Sequence, residues 1–385
     1  MGEEIKHSHF SLEDFEQFQH RLEAETTELK THFSGHLSET GGYTAGFELE
    51  ACLVDQAHLR PNPVNTAFLD ALQSPLASAE LAAFDVEFNT LARPLTGKVF
   101  QQFHHELSQI LAKARQAAHS LDSEILYCGI LPTLEESDLT ARQMSPLKRY
   151  KALNEQVLAS RQGSPIKLDI KGREHLATQH QDVMLEAAAT SFQVHYQTPA
   201  HKIADAYNAS LVVSAPLLAA ATNAPFLFGK DLWNETRIPV FEQSVDSGGY
   251  AGAAKGPLHR VTFGSGYIRG DIMECFEENL AHYPPLLPIL FDEHQPPFAH
   301  LRLHNGTLWR WNRPILGFDK NGKPHIRLEH RSLPGGPTVS DMIANAAFFY
   351  GLIRYFQEQD CSQLEFAAAR DNFYEAARFG LSAKL

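Results

Sequence analysis

Apolar positions along this chain repeat with two different periods, and the alternation between them gives an order of elements. Phe15, Phe18, Leu22 and Leu29 recur at helical spacing in an otherwise polar run, so residues 12–34 form a helix packed on one face. Residues 43–54 alternate and read as a strand, 65–73 as a short helix and 84–91 as a strand. Val99, Phe103, Leu107, Ile110, Leu111 and Ala114 make 97–121 a long amphipathic helix, followed by a strand over 124–130 that Pro132 ends. A helix over 141–160 and a strand over 190–197 follow; Pro199 stops that strand before an apolar helix at 200–221. The glycine-rich span 245–257 is a loop and a candidate lid. Strands are expected near 299–303, 307–311 and 325–333, and helices at 338–357 and 363–378. Strands come in loose pairs between helices, with neither βαβ alternation nor a repeat. The fold class is therefore α+β, a largely antiparallel sheet with helices on one side. We expect a helical extension at 1–38 and a single domain over 39–385.

Composition narrows the function classes. The chain is long enough for a large core, and a net charge of −13 without a dense Lys/Arg block argues against a nucleic-acid surface. Cys52, Cys128, Cys275 and Cys361 form no CxxC pair, so they read as free thiols in a reducing compartment. The first residues are too polar for a signal peptide. The apolar stretch Ser210–Gly229 is interrupted by Pro216, Thr222, Asn223 and Pro225, and reads as buried helix and turn, not a membrane span. A cytoplasmic protein is expected. The many histidines are scattered and no HExxH occurs, which disfavours zinc.

The candidate chemistry lies in strands. Glu48 and Glu50 sit at i and i+2 in Gly46-Phe47-Glu48-Leu49-Glu50, and so do Glu329 and Arg331 in Leu328-Glu329-His330-Arg331, so each pair projects to one face. Glu87 and His195 repeat the pattern in two further strands. Carboxylates gathered on a sheet face suit hard divalent cations, and an arginine beside them suits a phosphate. Arg237 and Arg313 are likewise embedded among apolar or aromatic residues. The plainer alternatives are solvated strand faces for the acids and salt bridges for the arginines. Gly248–Gly256 lacks the order of a phosphate loop, Gly264–Gly270 opens no helix, and no GxSxG occurs.

These segments resemble, in order, those of glutamate–cysteine ligase family 2, the carboxylate–amine ligases of the glutamine synthetase-like superfamily. Gly46–Glu50 resembles that family's first strand and Val86-Glu87-Phe88-Asn89-Thr90 its next acidic strand. Arg149-Tyr150, Val194-His195, Arg237, Arg313-Pro314, Leu328–Arg331 and Ala376-Ala377-Arg378-Phe379-Gly380-Leu381 resemble later segments. The resemblance implies a curved antiparallel sheet holding ATP and Mg2+ or Mn2+. Glu48, Glu50, Glu87, His195 and Glu329 would be the metal ligands. Arg331 would meet the transferring phosphoryl group, with Arg237 and Arg313 as further anion contacts. Arg331, Arg149 and Lys255 would hold the nucleotide. ATP would activate a carboxylate, glutamate or a similar acid, as an acyl phosphate for attack by an amine such as cysteine. Neither a membrane nor a nucleic acid is implied, and a homo-oligomer stays open. The chain departs from the family at Gln193, where the first histidine of a His-Val-His strand stands. It departs again at Ala83, where an acid is common, and at Cys128–Pro132, which lacks a histidine. It stops soon after Leu381, as a shorter subtype or a truncated chain would. Two other functions compete: a guanidino-type phosphotransferase on this fold, and a catalytically inactive nucleotide-binding regulatory protein.

Overall fold

The computed structural model describes residues 5, 8–33, 42–247, 259–291, 297–319 and 321–385. Its first half runs α1 (Leu12–Phe33), β1 (Thr44–Asp55), α2 (Asn65–Leu72), β2 (Ala77–Ala79), β3 (Asp85–Asn89), β4 (Arg93–Pro94), α3 (Val99–His119), β5 (Ser123–Leu126), α4 (Lys148–Ser160), β6 (Ile166–Lys171), β7 (His175–His180) and β8 (Phe192–Gln197). The second half runs α5 (Ile203–Ala221), β9 (Phe226–Leu227), β10 (Lys230–Asp231), α6 (Arg237–Ser244), β11 (Val261–Thr262), α7 (Met273–His282), α8 (Ala299–Gly306), β12 (Trp309–Arg310), β13 (Asn312–Phe318), β14 (Pro324–His330), α9 (Val339–Phe356) and α10 (Phe366–Phe379).

Eight strands form one antiparallel sheet in the order β13-β14-β8-β1-β3-β2, with β4 and β5 also paired to β1. The sheet curls into a half-barrel, the α+β architecture expected. Strand alternation gives it two unlike faces. Leu49 lies opposite Phe88 and Phe192, Phe47 opposite Val194, and Leu328 opposite Tyr196, so these residues share one apolar face. Helices α3 and α9 cover it: Phe47 packs edge-on to Phe103 at 4.5 Å and lies 6.1 Å from Tyr350. The other face carries the polar partners, Glu50 opposite Glu87, Glu48 opposite Gln193, and Glu329 opposite both His195 and Arg313.

Helix α1 packs into the same core. Phe18, Leu22 and Leu29 belong to the main buried cluster, and Glu25 accepts from His300 Nδ1 at 2.6 Å and from the Leu301 N–H at 2.8 Å. The helix of residues 200–221, apolar enough by length and composition to cross a membrane, has 67% of its most apolar window buried inside the protein.

Three expectations need correction. Residues 299–303 are helical, not a strand: in Ala-His-Leu-Arg-Leu-His the histidines His300 and His304 are buried with Leu301, a helical spacing that looks like alternation only if histidine is taken as a surface residue. The 141–160 helix begins only at Lys148, because Pro146 removes a backbone donor. The strand expected over 124–130 ends at Leu126. The β6–β7 hairpin and helices α6 and α7 were not anticipated.

The far end of the chain supports α6. The last carbonyls of α10 accept from the 234–235 backbone, Arg378 O from the Asn234 N–H at 3.1 Å and Ala377 O from the Glu235 N–H at 2.8 Å. Gly380 makes the turn that follows at φ +54° and ψ −130°, a region essentially restricted to glycine. A Cβ there would lie 2.5 Å from Asn234 Nδ2 and 3.0 Å from Thr222 Oγ1. Gly380→Ala should therefore cost about 1–3 kcal/mol of stability. Urea unfolding checks this, and an unchanged midpoint would mean that the turn carries no strain.

Candidate functional site

The polar face of the sheet concentrates buried carboxylates, several of which keep an oxygen without a partner among the described residues. Glu48 and Glu50 of β1, Asp85 and Glu87 of β3, and Glu329 of β14 are all buried. Strand period two puts each pair on one face, and antiparallel register brings the strands' acids together. Ligand atoms of Glu48, His195 and Glu329 lie within 4.8 Å of one another. Among the described residues, Oε2 of Glu48, Oε2 of Glu87, Oε1 of Glu80 and Oδ1 of Asp85 are buried without a hydrogen-bond partner. Burial raises the pKa of Glu87 well above the carboxylate range, and Glu48 and Glu80 add to the rise. Burial does the same to Glu80, helped by Glu50 and Glu186, and to Asp85. Glu186, on the turn after β7, is pushed by burial to about 8, with Glu50 raising it and Arg331 opposing.

The acids are not equivalent. Burial opposes ionisation of Glu329, yet Arg313, Arg331 and His195 outweigh it and hold its pKa low. Glu50 accepts from Ser191 N at 2.6 Å, Ser191 Oγ at 2.9 Å and Gln193 Nε2 at 2.8 Å, so most of its lone pairs are engaged. Burial still raises its pKa, against the pull of Arg331, the Ser191 hydroxyl and Arg237. Glu48 pairs with His195, whose Nε2 lies 3.0 Å from Oε1; burial opposes its ionisation but the imidazole keeps its pKa low, against the nearby charge of Glu329.

His195 is itself constrained. Arg327 Nε donates to its Nδ1 at 3.1 Å, which leaves the ring proton on Nε2, facing Glu48. A ligating imidazole needs the opposite tautomer. His195 can join a cation only once that proton has moved to Nδ1 and Arg327 has released it.

The three arginines expected to contact anions differ in what they have to spare. Arg313 clamps Glu329 through Nε at 2.9 Å and Nη2 at 3.1 Å, and donates from Nη1 to Gly306 O at 3.2 Å. Arg237 is wholly internal: Nε donates to Glu235 Oε1 and Nη1 to Arg331 O, both at 3.1 Å, while Nη2 donates to Ser332 O. Arg331 uses Nη1 on Glu329 at 2.8 Å and on Gln193 at 2.6 Å, and keeps a buried Nε without a partner among the described residues. An unpartnered buried guanidinium donor is a place for an anion. Arg149 lies apart from these, donating to Ala79 O at 3.1 Å and Tyr150 OH at 2.8 Å and partly offsetting the charge of Glu80. Lys255 and residues 248–257 of the candidate lid lie outside the described residues.

Sequence reasoning missed Glu80, Asp85, Glu186 and Arg327. Asp85 and Arg327 were within reach, since each stands two residues from an identified acid in the same strand. Glu80 and Glu186 lie outside any strand and carry no such signal.

The donor set fits hard divalent cations: buried carboxylate oxygens without partners, with no thiolate expected to compete. Burial raises the nearby Cys52 thiol well above its ordinary value.

The sequence model of glutamate–cysteine ligase family 2 matches residues 44–265. Among solved structures, the chain is similar to the glutamate–cysteine ligase of Francisella tularensis, solved in complex with AMP. The identity is 12%, the TM-score 0.53, and the match covers 89% of this chain and 72% of that one. A bifunctional glutathione synthetase from Pasteurella multocida aligns at 10% identity and a TM-score of 0.46, over 93% of this chain and 44% of its own. No curated protein matches the sequence.

The orphaned oxygens give a test that needs no substrate. Below the unfolded pKa, roughly 4.3, Glu87 is protonated in both states and costs nothing. Above it, the raised folded pKa makes burial of Glu87 increasingly unfavourable. Glu87→Gln should therefore raise Tm in EDTA at pH 8, and the gain should shrink towards pH 4. Magnesium chloride should raise Tm of the unaltered chain more than that of the variant. A Glu87→Gln variant less stable at pH 8 would show that the oxygen is already satisfied.

Proposed function

This chain belongs to glutamate–cysteine ligase family 2, and from that premise we propose that it is an ATP- and Mg2+-dependent carboxylate–amine ligase acting on glutamate or a similar acid. The observation that carries the reading is the juxtaposition, on one buried sheet face, of partnerless carboxylate oxygens with the partnerless Nε of Arg331. Such a face offers cation sites and an anion site together, which is what a metal–nucleotide and an acyl phosphate require.

Glu48, Glu87, Glu329, Glu50 through its remaining lone pairs, and His195 in its other tautomer would hold Mg2+ or Mn2+. Glu80 extends the set. Bound there, the cation would neutralise phosphate charge and stabilise charge developing on the transferred group. The rest falls to the chain's own residues. An oxygen of the substrate carboxylate attacks the γ-phosphorus, the bond to the ADP oxygen breaks, and Arg331 Nε receives the transferring group. The amine nitrogen then attacks the acyl carbon, inorganic phosphate leaves, and a proton is lost from nitrogen. Arg313 keeps Glu329 ionised and in place. Arg237, through Arg331 O and Ser332 O, fixes the backbone that aims Arg331. Arg149 and Lys255 are assigned to the nucleotide. Residues 39–385 form the catalytic unit, and α1 of the 1–38 extension braces it through α7 and α8.

Phosphate release from ATP, measured with Mg2+ over a panel of glutamate plus single amines, tests this directly. Release should require both the acid and one amine. Arg331→Ala should lower it by about 100-fold or more. Release that ignores the amine, or an Arg331→Ala chain as active as the original, would end the ligase assignment.

A further inference from the structure

Gln193 stands where the resemblance expects a histidine, and it is wholly buried in the middle of the polar face. Its amide joins two groups of opposite charge. Nε2 donates to Glu50 Oε1 at 2.8 Å, and Oε1 accepts from Arg331 Nη1 at 2.6 Å. The neighbours dictate this orientation. A guanidinium can only donate, so the carbonyl oxygen faces Arg331 and the amide NH2 faces the carboxylate. Reversing the amide would set donor against donor and acceptor against acceptor.

Glu50 is fixed in turn by the Ser191 N–H and hydroxyl, and its own N–H donates to Ser191 O at 2.9 Å. Ser191, Glu50, Gln193 and Arg331 thus form one continuous chain of hydrogen bonds between neighbouring strands. At its far end Nη1 of Arg331 sits between Gln193 Oε1 and Glu329 Oε2, with the Phe241 ring 5.9 Å from the guanidinium. That grip leaves Nε free and fixes the direction in which it points.

We propose that Gln193 is a positioning residue for phosphoryl transfer: anchored through Glu50 to Ser191, it sets the orientation in which Arg331 meets the terminal phosphoryl group. Glu50, with three donors already on its oxygens, serves first as the anchor of this relay. The proposal deepens the ligase reading and rests on it, since that reading makes a phosphoryl group the partner of Arg331.

The test uses the full-length chain and two nucleotides, ADP–Mg2+ and the non-transferable imido analogue of ATP with Mg2+, titrated by calorimetry. Gln193→Met keeps the side chain's length and bulk but removes both hydrogen bonds. It should weaken the imido analogue by roughly 10- to 100-fold, the effect of losing a charge-assisted hydrogen bond, and leave ADP within about threefold. The kcat for amine-dependent phosphate release should fall in step. Gln193→His, whose neutral ring has one donor and one acceptor nitrogen, should recover most of both. Equal weakening of the two nucleotides would make Gln193 a packing residue and overturn the proposal. So would a Gln193→Met chain that still binds the imido analogue as the original does. A parent chain that binds neither nucleotide would overturn the ligase reading itself; a parent that binds both and releases phosphate, with an unaffected variant, would overturn only this inference.

Discussion

Like charge gathered on one buried sheet face is the constraint to which the rest of this structure answers. Two carboxylates about 4 Å apart repel by roughly 4 kcal/mol at the effective dielectric of a protein interior. Here acids from β1, β3 and β14 share that face with Glu80 and Glu186 as electrostatic neighbours. The protein compensates them unevenly. On β13, on β14 and just past its end, arginines 313, 327 and 331 surround Glu329 and His195. In the middle, hydrogen bonds from Ser191 and Gln193 hold Glu50. Towards β3, Glu87 and Glu80 have oxygens with no partner, and burial pushes both pKa values far up. The face is therefore electrically polarised, with cationic side chains at one end and carboxylates only partly compensated at the other.

That polarity could not survive without the opposite face. The same strands that display Glu48, Glu50, Gln193, His195 and Glu329 bury Phe47, Leu49, Phe192, Val194 and Leu328 against helices on the other side. A slip of one residue in β1 would drive two glutamates into the aromatic core and Phe47 into the acidic face. Register is thus specified from both sides, and the apolar packing of Phe47 against Phe103 and Phe192 keeps mutually repelling acids in place.

This two-sidedness also explains what could be read from the sequence. Glu48, Glu50, Glu329 and Arg331 were legible because strand period two is a local rule, and each pair needs only its own segment to be seen. Asp85 and Arg327 obey the same rule and were readable by it. Glu80 and Glu186 were not, because each reaches the site from a bend or a short helical turn whose direction only the tertiary fold decides. The helix at 299–306 failed for a related reason. Its buried His300 and His304 find their partners in Glu25 and the Asn279 carbonyl, far away in sequence, so nothing local marks them as interior. Arg237 shows the limit of residue type as evidence. Its aromatic, buried setting suits an anion contact, yet all its donor nitrogens are spent inside the protein.

Those internal contacts give a physical role to a segment that sequence pattern alone leaves unexplained. The Ala-Ala-Arg-Phe-Gly-Leu end of α10 lies far along the chain from the acids, and none of its residues has a place in the acid network. Its carbonyls at 377 and 378 receive the N–H groups of Glu235 and Asn234, and Gly380 makes room for the Asn234 side chain. Glu235, so held, pairs with Arg237, which grips the backbone carbonyls of Arg331 and Ser332. The end of β14 is thereby fixed from behind while Gln193 and Glu329 fix the Arg331 side chain from the front. A guanidinium that keeps one donor free in a crowded acidic face is held there by both restraints. With the backbone alone fixed, Arg331 could turn Nε onto the nearest carboxylate; with the side chain alone fixed, the strand could shift beneath it. The helix end and the strand residues, far apart in sequence, thus restrain the same residue from opposite sides.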